Sequence, residues 1–446
     1  MQTLKQLQNG ELKGAVSLKL SEELSHFPQE IFELADTLEK LDLSFNNLTE
    51  LPAEFGKLKK LKILFCSENL FTALPEVLAD CPLLDIVGFK SNRIEEVSSK
   101  ALNPNIRWLI LTNNRIAELP TQIGNCLRMQ KLMLAGNQLN KLPIELSNCL
   151  NLSLLRISAN QLSQFPEWLL SMPKLSWLAF SGNLFNVKPS VPVIPFIDHQ
   201  ELEIGHQLGE GASGIISKAG WHIEQGKKEV AVKLFKGAVT SDGLPEDEML
   251  AYIAAGQHYG LVKLLGQVAA HPEGRAGLVM ELISPRFFNL GNPPNFDSCT
   301  RDVFEEDMNL SVQQVIKIAS IIASLAAQLH SKGVMHGDLY AHNILIDQEG
   351  NTLFGDFGAA SFYDRENAKI ANSLERIEVS AYGYLLDDLL SLCKGTGTNP
   401  TILKLADLRD KCIAQNVSTR PNFEYLTDQL MGLSLLLVLN NIITGP

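Results

Sequence analysis

The stretch "LEKLDLSFNNL", residues 38–48, opens a series of seven similar copies in the first half of the chain. Most copies keep the pattern LxxLxLxxNxL, and their Asn residues follow one another at intervals of 22 or 23. These are Asn46, Asn69, Asn92, Asn114, Asn137, Asn160 and Asn183. The alternating Leu residues predict a short strand with one buried face, and the Asn side chain can satisfy backbone groups where the chain leaves that strand. One unit cannot bury its apolar face alone, so a stack of units is predicted.

This pattern resembles the leucine-rich repeat, and seven copies in register make the resemblance specific. The resemblance implies an α/β solenoid over residues 1–187, of a kind that binds other proteins. Cys126 and Cys149 recur at the repeat period, so we expect them to be buried packing residues and not reactive thiols. The proline-rich stretch "KPSVPVIPF" predicts a stiff linker over residues 188–200.

The second half of the chain contains five short motifs in a fixed order. They are "LGEGASGII" at 208–216, "EVAVKLF" at 229–235, "LVMELIS" at 278–284, "HGDLYAHN" at 336–343 and "FGDFGA" at 354–359. The glycine-rich stretch alone is a weak signal, because GxGxxG also arises by chance. In this order the set resembles the protein kinases over residues 201–446, which implies an α+β bilobal fold and phosphotransfer from ATP.

The resemblance implies a role for individual residues in these motifs. Lys233 would contact the α- and β-phosphates, and a helix carboxylate, Glu248 or else Glu246, would hold Lys233 in place. Asp338 would orient the substrate hydroxyl and accept its proton. The residues that would hold magnesium are Asn343 and Asp356. Those that would contact ATP are Gly209, Gly211, Gly214, Ile216, Ala231, Lys233, Met280, Glu281 and Ile283.

Two later stretches extend the resemblance, and several positions depart from it. "EVSAYG" at 378–383 is similar to a kinase helix signature, with Glu378 in place of Asp, and "STRPNF" at 418–423 contains the Arg-Pro element. The catalytic loop has Gly337 where the HRDLxxxN signature has Arg, and Tyr340 where Ser/Thr kinases carry Lys. There is no APE motif, so we expect Arg420 to lack its usual carboxylate partner. Without the Arg, phosphorylation of the activation segment loses its usual anchor.

Two other functions compete with a protein kinase at this point. The loop "HGDLYAHN" is also close to the HGDLxxxN loop of aminoglycoside and choline phosphotransferases. A pseudokinase scaffold is the third possibility, although Lys233, Asp338, Asn343 and Asp356 are all retained. The full glycine loop, the two later stretches and the attached repeats favour a protein kinase, with Ser/Thr preferred to Tyr only by default.

The repeat register predicts which side chains face outward from the strands. Residues six and four before each Asn alternate with the inward Leu and should lie on the concave face. The middle of this face is apolar, where a solvated face would be mostly polar. The residues concerned are Ile63, Phe65, Ile86, Trp108, Ile110 and Met133. We expect them to bind a separate protein or the chain's own kinase-like domain; alternatively they only cover one another.

Composition excludes some classes of partner and compartment. The net charge is −12, and the excess of acidic residues lies in the second half, which argues against nucleic-acid binding. Seven cysteines without a CxxC pair indicate neither a disulfide framework nor a zinc site, so a reducing, cytoplasmic location is expected. The start of the chain lacks the pattern of a secretory signal. The apolar run at 431–443 is too short for a membrane span and predicts a buried terminal helix.

Overall fold

The computed structural model describes residues 2–187, 191–211, 213–224, 226–237, 239–394 and 399–444, with the side chains of the last helix described as far as Leu437. The chain forms two compact units, residues 1–175 with 183–185, and residues 176–182 with 186–446. The sequence prediction had placed the division at a linker, residues 188–200, of which 188–190 lie outside the described part. The structure instead assigns Ser176–Gly182 to the second unit.

The first unit is a stack of parallel strands that begins after helix α1, Leu4–Gln8. The strands are β1 Ser17–Lys19, β2 Lys40–Asp42, β3 Ile63–Phe65, β4 Ile86–Gly88, β5 Trp108–Ile110, β6 Lys131–Met133 and β7 Leu154–Arg156. Each pairs in parallel with the next, so that Leu41 lies opposite Leu64 and Leu64 opposite Val87. The short helices that follow the strands are of the 3-10 type, such as Thr121–Asn125 and Ile144–Asn148. This architecture confirms the predicted solenoid.

The repeated Asn residues tie successive strands of the stack together. Asn69 donates from Nδ2 to the carbonyl of Leu43 at 2.9 Å and accepts from the amide of Leu48 at 2.9 Å. The residue before it, Glu68, has a φ of 53°, which turns the chain out of the strand. Each such hydrogen bond satisfies a buried backbone group, and a group of this kind costs about 1–3 kcal/mol if left unpaired. The side chain predicted to close each repeat therefore also links it to the preceding one.

Cys126 and Cys149 are buried within the stack, as their spacing predicts. Burial raises the pKa of Cys126 to about 11 and that of Cys149 to about 12. A thiolate is the reactive form of cysteine, and neither residue forms one readily near neutral pH. Both are packing residues.

The second unit begins with strand β8, Trp177–Ala179, and continues with a six-stranded sheet of order β10-β11-β12-β14-β13-β9. Its strands are β9 Phe196–Asp198, β10 Leu202–Glu210, β11 Gly214–Ile223, β12 Gly226–Phe235, β13 Leu264–Ala269 and β14 Gly277–Glu281. The alternation in β12 buries Val230 and Val232 in one apolar cluster with Ile197 and Val279. Helix α2, Pro245–Ala255, lies between β12 and β13 in the chain and begins with a proline, which suits a first helical turn.

The rest of the second unit is mostly helical. The elements are β15 Phe288–Asn289, α3 Val312–Ser331, β16 Val334–Met335, β17 Ile344–Ile346, β18 Thr352–Phe354, β19 Ser361–Phe362, α4 Ala368–Ser391, α5 Pro400–Cys412 and α6 Phe423–Thr444. Ser311 caps α3, with Gln314 completing a reciprocal capping box. A sheet-rich part followed by a helix-rich part confirms the predicted bilobal α+β class.

Two apolar helices of this unit, α3 and α6, differ in how far they are buried. Within the part of the chain that the structure describes, α3 is the helix whose length and hydropathy would suffice to cross a membrane, but more than half of its most apolar window is buried inside the domain. In the part of the terminal helix α6 whose side chains are described, burial is only partial; the sequence predicted a buried helix over 431–443, of which the side chains of 438–443 lie outside that part. The helix buries Phe423, Leu426 and Leu430 on one face and exposes Met431 and Leu435 on another.

Candidate active site

Strand β12 and helix α2 bring a lysine and a glutamate together. Lys233 Nζ forms an ion pair and hydrogen bond with Glu248 Oε1, and the two side chains are only 14% and 4% exposed. Glu246, the other candidate from the sequence, is exposed. Burial raises the pKa of Glu248, and the nearby Asp356 carboxylate raises it too, while Lys233 offsets part of this rise. The pair therefore holds a lysine ammonium in a fixed position with a second carboxylate close by.

The loop between β16 and β17 fixes the carboxylate of Asp338. Asn343 donates from Nδ2 to Asp338 Oδ2 at 2.8 Å and to the Asp338 carbonyl at 3.0 Å. A short 3-10 helix, Ala341–Asn343, sets the five-residue spacing that lets the amide reach back to the aspartate. Because the Asn343 amide nitrogen is used in this way, its carbonyl oxygen is the atom it can offer to a cation.

Asp356 follows strand β18 and has a left-handed backbone conformation, with a φ of 55°. Its Oδ1 accepts a hydrogen bond from the amide of Gly358 at 3.2 Å, and the residue is exposed. Non-glycine residues in this region cost about 1–3 kcal/mol and concentrate at functional sites. Asp356 presents a carboxylate at the surface next to the fixed loop of Asp338.

His342, the residue before Asn343 in the same loop, has a carboxylate partner. It is partly buried, and its Nδ1 lies 2.7 Å from Asp302 Oδ1. Burial lowers the pKa of His342, but the hydrogen bond and charge of Asp302, with the charges of Asp338 and Asp356, raise it overall. Asp302 also accepts the His342 amide at 3.0 Å. The pair with Asp302 is the reason why His342 is drawn inward.

Glu378, the substituted residue of the helix signature, supports the catalytic loop from α4. Its Oε1 accepts the amide of Gly337 at 2.6 Å, and its Oε2 accepts that of His336 at 3.2 Å. His330 Nε2 lies 2.7 Å from the same Oε2. Burial would raise the pKa of Glu378, yet the His330 hydrogen bond and charge, the His336 charge and the Gly337 amide lower it overall. The longer Glu side chain thus holds two consecutive amides of the loop.

His336 packs beneath the loop. Its ring stacks on Phe354 with centroids 4.1 Å apart, and its Nε2 lies 3.1 Å from the Gly355 carbonyl. Burial lowers its pKa, although nearby carboxylates oppose this effect. A buried imidazole stacked on Phe354 suits a packing role between β16 and β18.

The glycine-rich turn between β10 and β11 leaves open space where a nucleotide would lie. A Cβ added at Gly209 or Gly211 would meet no atom within 4 Å, whereas one at Gly214 would lie 2.6 Å from the Leu234 carbonyl. Ala212, between them, lies outside the described residues. Gly214 is required for close pairing with β12, which carries Lys233. This arrangement fits a triphosphate approached by backbone groups.

The remaining residues assigned to ATP lie on neighbouring strands. Ala231 on β12 pairs with Met280 on β14, and Ile216 on β11 pairs with Lys233. The Glu281 amide donates to the Lys263 carbonyl at 2.9 Å, so the Glu281 carbonyl is the group to consider for adenine. Ile283 follows the end of β14. The structure therefore places four of the remaining residues on adjoining strands of one sheet. They are Ile216, Ala231, Met280 and Glu281.

Arg420 is buried and donates hydrogen bonds to backbone carbonyls. Its Nε donates to the Ala414 carbonyl at 2.9 Å, and its Nη1 donates to the Arg376 carbonyl at 3.2 Å. Burial lowers its pKa to about 10. The guanidinium joins the segment before α6 to helix α4 without an APE motif.

The comparisons with known proteins agree with this geometry. Residues 202–381 match the family model described as protein tyrosine and serine/threonine kinase, and residues 36–80 match the model for two copies of leucine-rich repeats. The chain joins leucine-rich repeats to a protein-kinase domain. Helix α4, with Glu378, is the last element of the kinase domain that the matched range reaches.

Several relatives of the kinase domain are known by name. A probable serine/threonine-protein kinase of Dictyostelium discoideum is 34% identical over 38% of this chain and 10% of its own length. Tyrosine-protein kinase receptor TYRO3 of Gallus gallus is 31% identical over 36% of this chain and 19% of its own length. Megakaryocyte-associated tyrosine-protein kinase of Rattus norvegicus is 32% identical over 37% and 31%. The chain thus spans less than a third of the length of these relatives.

Sequence reasoning missed Asp302 and His330 as supports of the catalytic loop. Asp302 lies 40 residues before His342, and His330 lies 48 residues before Glu378. No motif in the sequence links positions at these separations, because the contacts depend on how the loop before α3 and the end of α3 fold back. The hydrophobic spacing of α3 predicts a helix, but the pairing of its last histidine with α4 depends on packing.

Proposed function

We propose that this chain is an ATP- and magnesium-dependent protein kinase that phosphorylates hydroxyl groups of proteins, with Ser and Thr preferred. The observation that carries the proposal is the fixed Asp338 carboxylate, held by Asn343 within a loop anchored by Glu378. It lies in the same domain as the Lys233–Glu248 pair and the exposed Asp356. The family match and the named kinases among its relatives support the same activity.

The arrangement assigns a distinct task to each residue. Lys233, held by Glu248, would position the α- and β-phosphates of ATP. Asp338 would accept the hydroxyl proton as the substrate oxygen bonds to the γ-phosphorus and the bond from that phosphorus to the ADP oxygen breaks. Magnesium, when bound by Asp356 and Asn343, would neutralise phosphate charge. Asn343 keeps the Asp338 carboxylate oriented throughout.

A labelled-phosphate assay tests the proposal. The full chain with MgATP should phosphorylate Ser or Thr peptides in preference to Tyr peptides. Asp338→Asn and Lys233→Ala should each lower the rate by about 10²-fold or more. Asp338→Asn should leave the melting temperature unchanged, whereas Lys233→Ala should lower it, because the buried Glu248 loses its cation partner. Asp428→Asn, an equivalent change at an exposed residue of α6, is the matched control. Near wild-type transfer by either variant, or transfer only to aminoglycosides or choline, would contradict the assignment.

We also propose that the repeats recruit a partner or substrate protein through the apolar middle of their strands. Trp108 and Met133 lie in neighbouring strands, with Trp108 Nε1 3.4 Å from Met133 Sδ, and Lys131 lies over the Trp108 ring at 4.4 Å. Ile63, Phe65 and Ile110 are partly exposed beside them. Ile86 is a correction to the predicted surface: it is only 1% exposed, because it lies between Ile63 and Trp108 in the adjacent strands.

A cytoplasmic location is part of the same proposal. The seven cysteines are free thiols, and six of them are buried. Burial raises the pKa of the Cys66 and Cys412 thiols, so they resist oxidation in the folded state. These properties support a reducing compartment, and fractionation of cells that express the chain would test the location.

A further inference from the structure

The segment Ser176–Gly182 belongs by sequence to the seventh repeat and by packing to the kinase domain. Its strand β8 places Trp177 in the interior, where the side chain is only 1% exposed. The repeat pattern had predicted an outward position for this residue. Ser176, next to it, donates from its hydroxyl to the Ser380 hydroxyl of α4 at 2.9 Å. The strand is therefore a structural part of the domain that holds Asp338.

Trp177 contacts the two residues that follow Asp338. Its Nε1 donates to the Leu339 carbonyl at 3.0 Å, and its ring stacks on Tyr340 with centroids 4.4 Å apart and planes 5° apart. The Trp177 ring also stacks on the ring of Tyr384 in α4, with centroids 5.4 Å apart. A rigid indole with a hydrogen-bonding edge can fix a loop at little entropic cost. Tyr340, which departs from the kinase pattern, is therefore the surface on which Trp177 stacks.

The same segment also holds the chain that follows Asp356. The Ser361 hydroxyl accepts the amides of Phe180 at 2.8 Å and Ser181 at 3.2 Å. The Ser181 hydroxyl donates to the Ala360 carbonyl at 2.9 Å. Asn186, which lies beyond the repeat, donates to the Phe362 carbonyl at 3.1 Å. Residues 360–362 are thus fixed by hydrogen bonds to side chains and backbone of the repeat segment.

The position of this segment explains why residue 337 is Gly where the kinase signature has Arg. Gly337 has a φ of 75°, and a Cβ placed there would lie 2.6 Å from the Leu178 carbonyl and 2.6 Å from the Ala359 carbonyl. An arginine side chain would begin in the space that the two carbonyls occupy. The repeat strand and the chain after Asp356 therefore meet at the position where the kinase signature has Arg.

We propose that Ser176–Gly182 is a built-in positioning element for phosphotransfer, with Trp177 and Ser361 as its positioning residues. It holds the loop of Asp338 and the segment after Asp356 in register with each other, and it does so without a phosphate group. This inference rests on the proposed kinase function. It also requires that the repeats and the kinase domain cannot be separated at the predicted linker without loss of activity.

The test uses the full chain with two single substitutions. Trp177→Phe keeps an aromatic ring but removes the hydrogen bond to Leu339, and Ser361→Ala removes the acceptor of two amides. Trp168→Phe is the matched control, because Trp168 lies in the preceding 3-10 helix, Glu167–Ser171, in the first unit. The measurements are kcat, the KM for ATP, and hydrogen exchange of the amides of residues 357–363.

Both variants should lower kcat by about tenfold or more, because a loop displaced by about 1 Å loses reactive geometry. The KM for ATP should stay unchanged, and amides 357–363 should exchange faster, while Trp168→Phe changes none of these. Wild-type kcat and exchange in both variants would overturn the proposal. A rise in the KM for ATP as large as the fall in kcat would also overturn the proposal, since that outcome indicates general unfolding. If the wild-type chain transfers no phosphate, the kinase function fails, and the exchange rates alone decide the positioning role.

Discussion

At the scale of single residues, the carboxylate of Glu378 supports the site most directly. It is fully buried and accepts the amides of Gly337 and His336 while it contacts His330. Glu378→Gln would turn an NH2 group toward one of these donors. We expect a loss of about 3 kcal/mol in the free energy of unfolding, as for other buried charges that lose a partner. Urea denaturation measures it, with the exposed Glu424→Gln as control.

The lowered pKa of Glu378 also predicts a pH dependence. A carboxyl whose pKa is lower in the folded state stabilises the fold at a pH above its unfolded value, about 4.3 for Glu. This contribution is lost as the pH falls through the folded value. The difference in stability between wild type and Glu378→Gln should therefore shrink on acidification below about pH 4. A constant difference between pH 7 and pH 3 would contradict the assigned ionic role.

Gly337 and Gly10 form a matched pair for testing close packing. Their φ values are 75° and 74°, but a Cβ at Gly10 would meet no atom within 4 Å, whereas one at Gly337 would collide with two carbonyls. Gly10→Ala should cost about 1–2 kcal/mol, the price of backbone strain alone. Gly337→Ala should cost clearly more, and Gly337→Arg should inactivate the enzyme despite restoring the kinase pattern. Equal melting temperatures for the two Ala variants would contradict the collision.

At the scale of elements, the segment between β18 and α4 is fixed without phosphate. Ser361 is 0% exposed, and the Tyr363 hydroxyl lies 2.7 Å from His330 Nδ1. Ser373 lies on α4, where its hydroxyl donates to the Lys369 carbonyl. Phosphatase treatment should therefore leave kinase activity unchanged, since these hydroxyls are already engaged. Loss of activity that returns on rephosphorylation would refute this expectation, and mass spectrometry would confirm dephosphorylation.

At the scale of the whole molecule, the repeat strands and the kinase domain should have separable effects. Trp108→Glu combined with Ile110→Glu should weaken capture of a partner protein about tenfold or more, because charge would enter an apolar contact. Phosphorylation of short peptides should not change. Leu127→Glu with Leu150→Glu is the matched control, since both residues are exposed elsewhere in the repeats. If the double variant changes basal activity, the apolar patch binds the chain's own kinase domain and not a separate protein. If capture of the partner protein stays at the wild-type level, the patch does not bind that partner.

The sequence alone determined the two architectures, and the roles of the site residues stay predictions. The Asn interval and the alternating Leu residues require strands that stack, since no single repeat can bury its own apolar face. The ordered motifs placed Lys233, Asp338, Asn343 and Asp356 in one domain, because short-range spacing fixes which of them share a loop or strand. The choice of Glu248 over Glu246 depended on which helix face is buried, which the sequence left open.

The tertiary structure decided the contacts between distant segments. Trp177 lies 162 residues from Leu339 and has the register of an outward-facing repeat residue, yet it is buried against the catalytic loop. His342 pairs with Asp302, 40 residues away, and Arg420 donates to the backbone carbonyls of Ala414 and Arg376. Periodicity specifies only which face of an element is apolar. Which surface covers that face depends on packing among segments far apart in the chain. The local spacing of residues does not specify this packing.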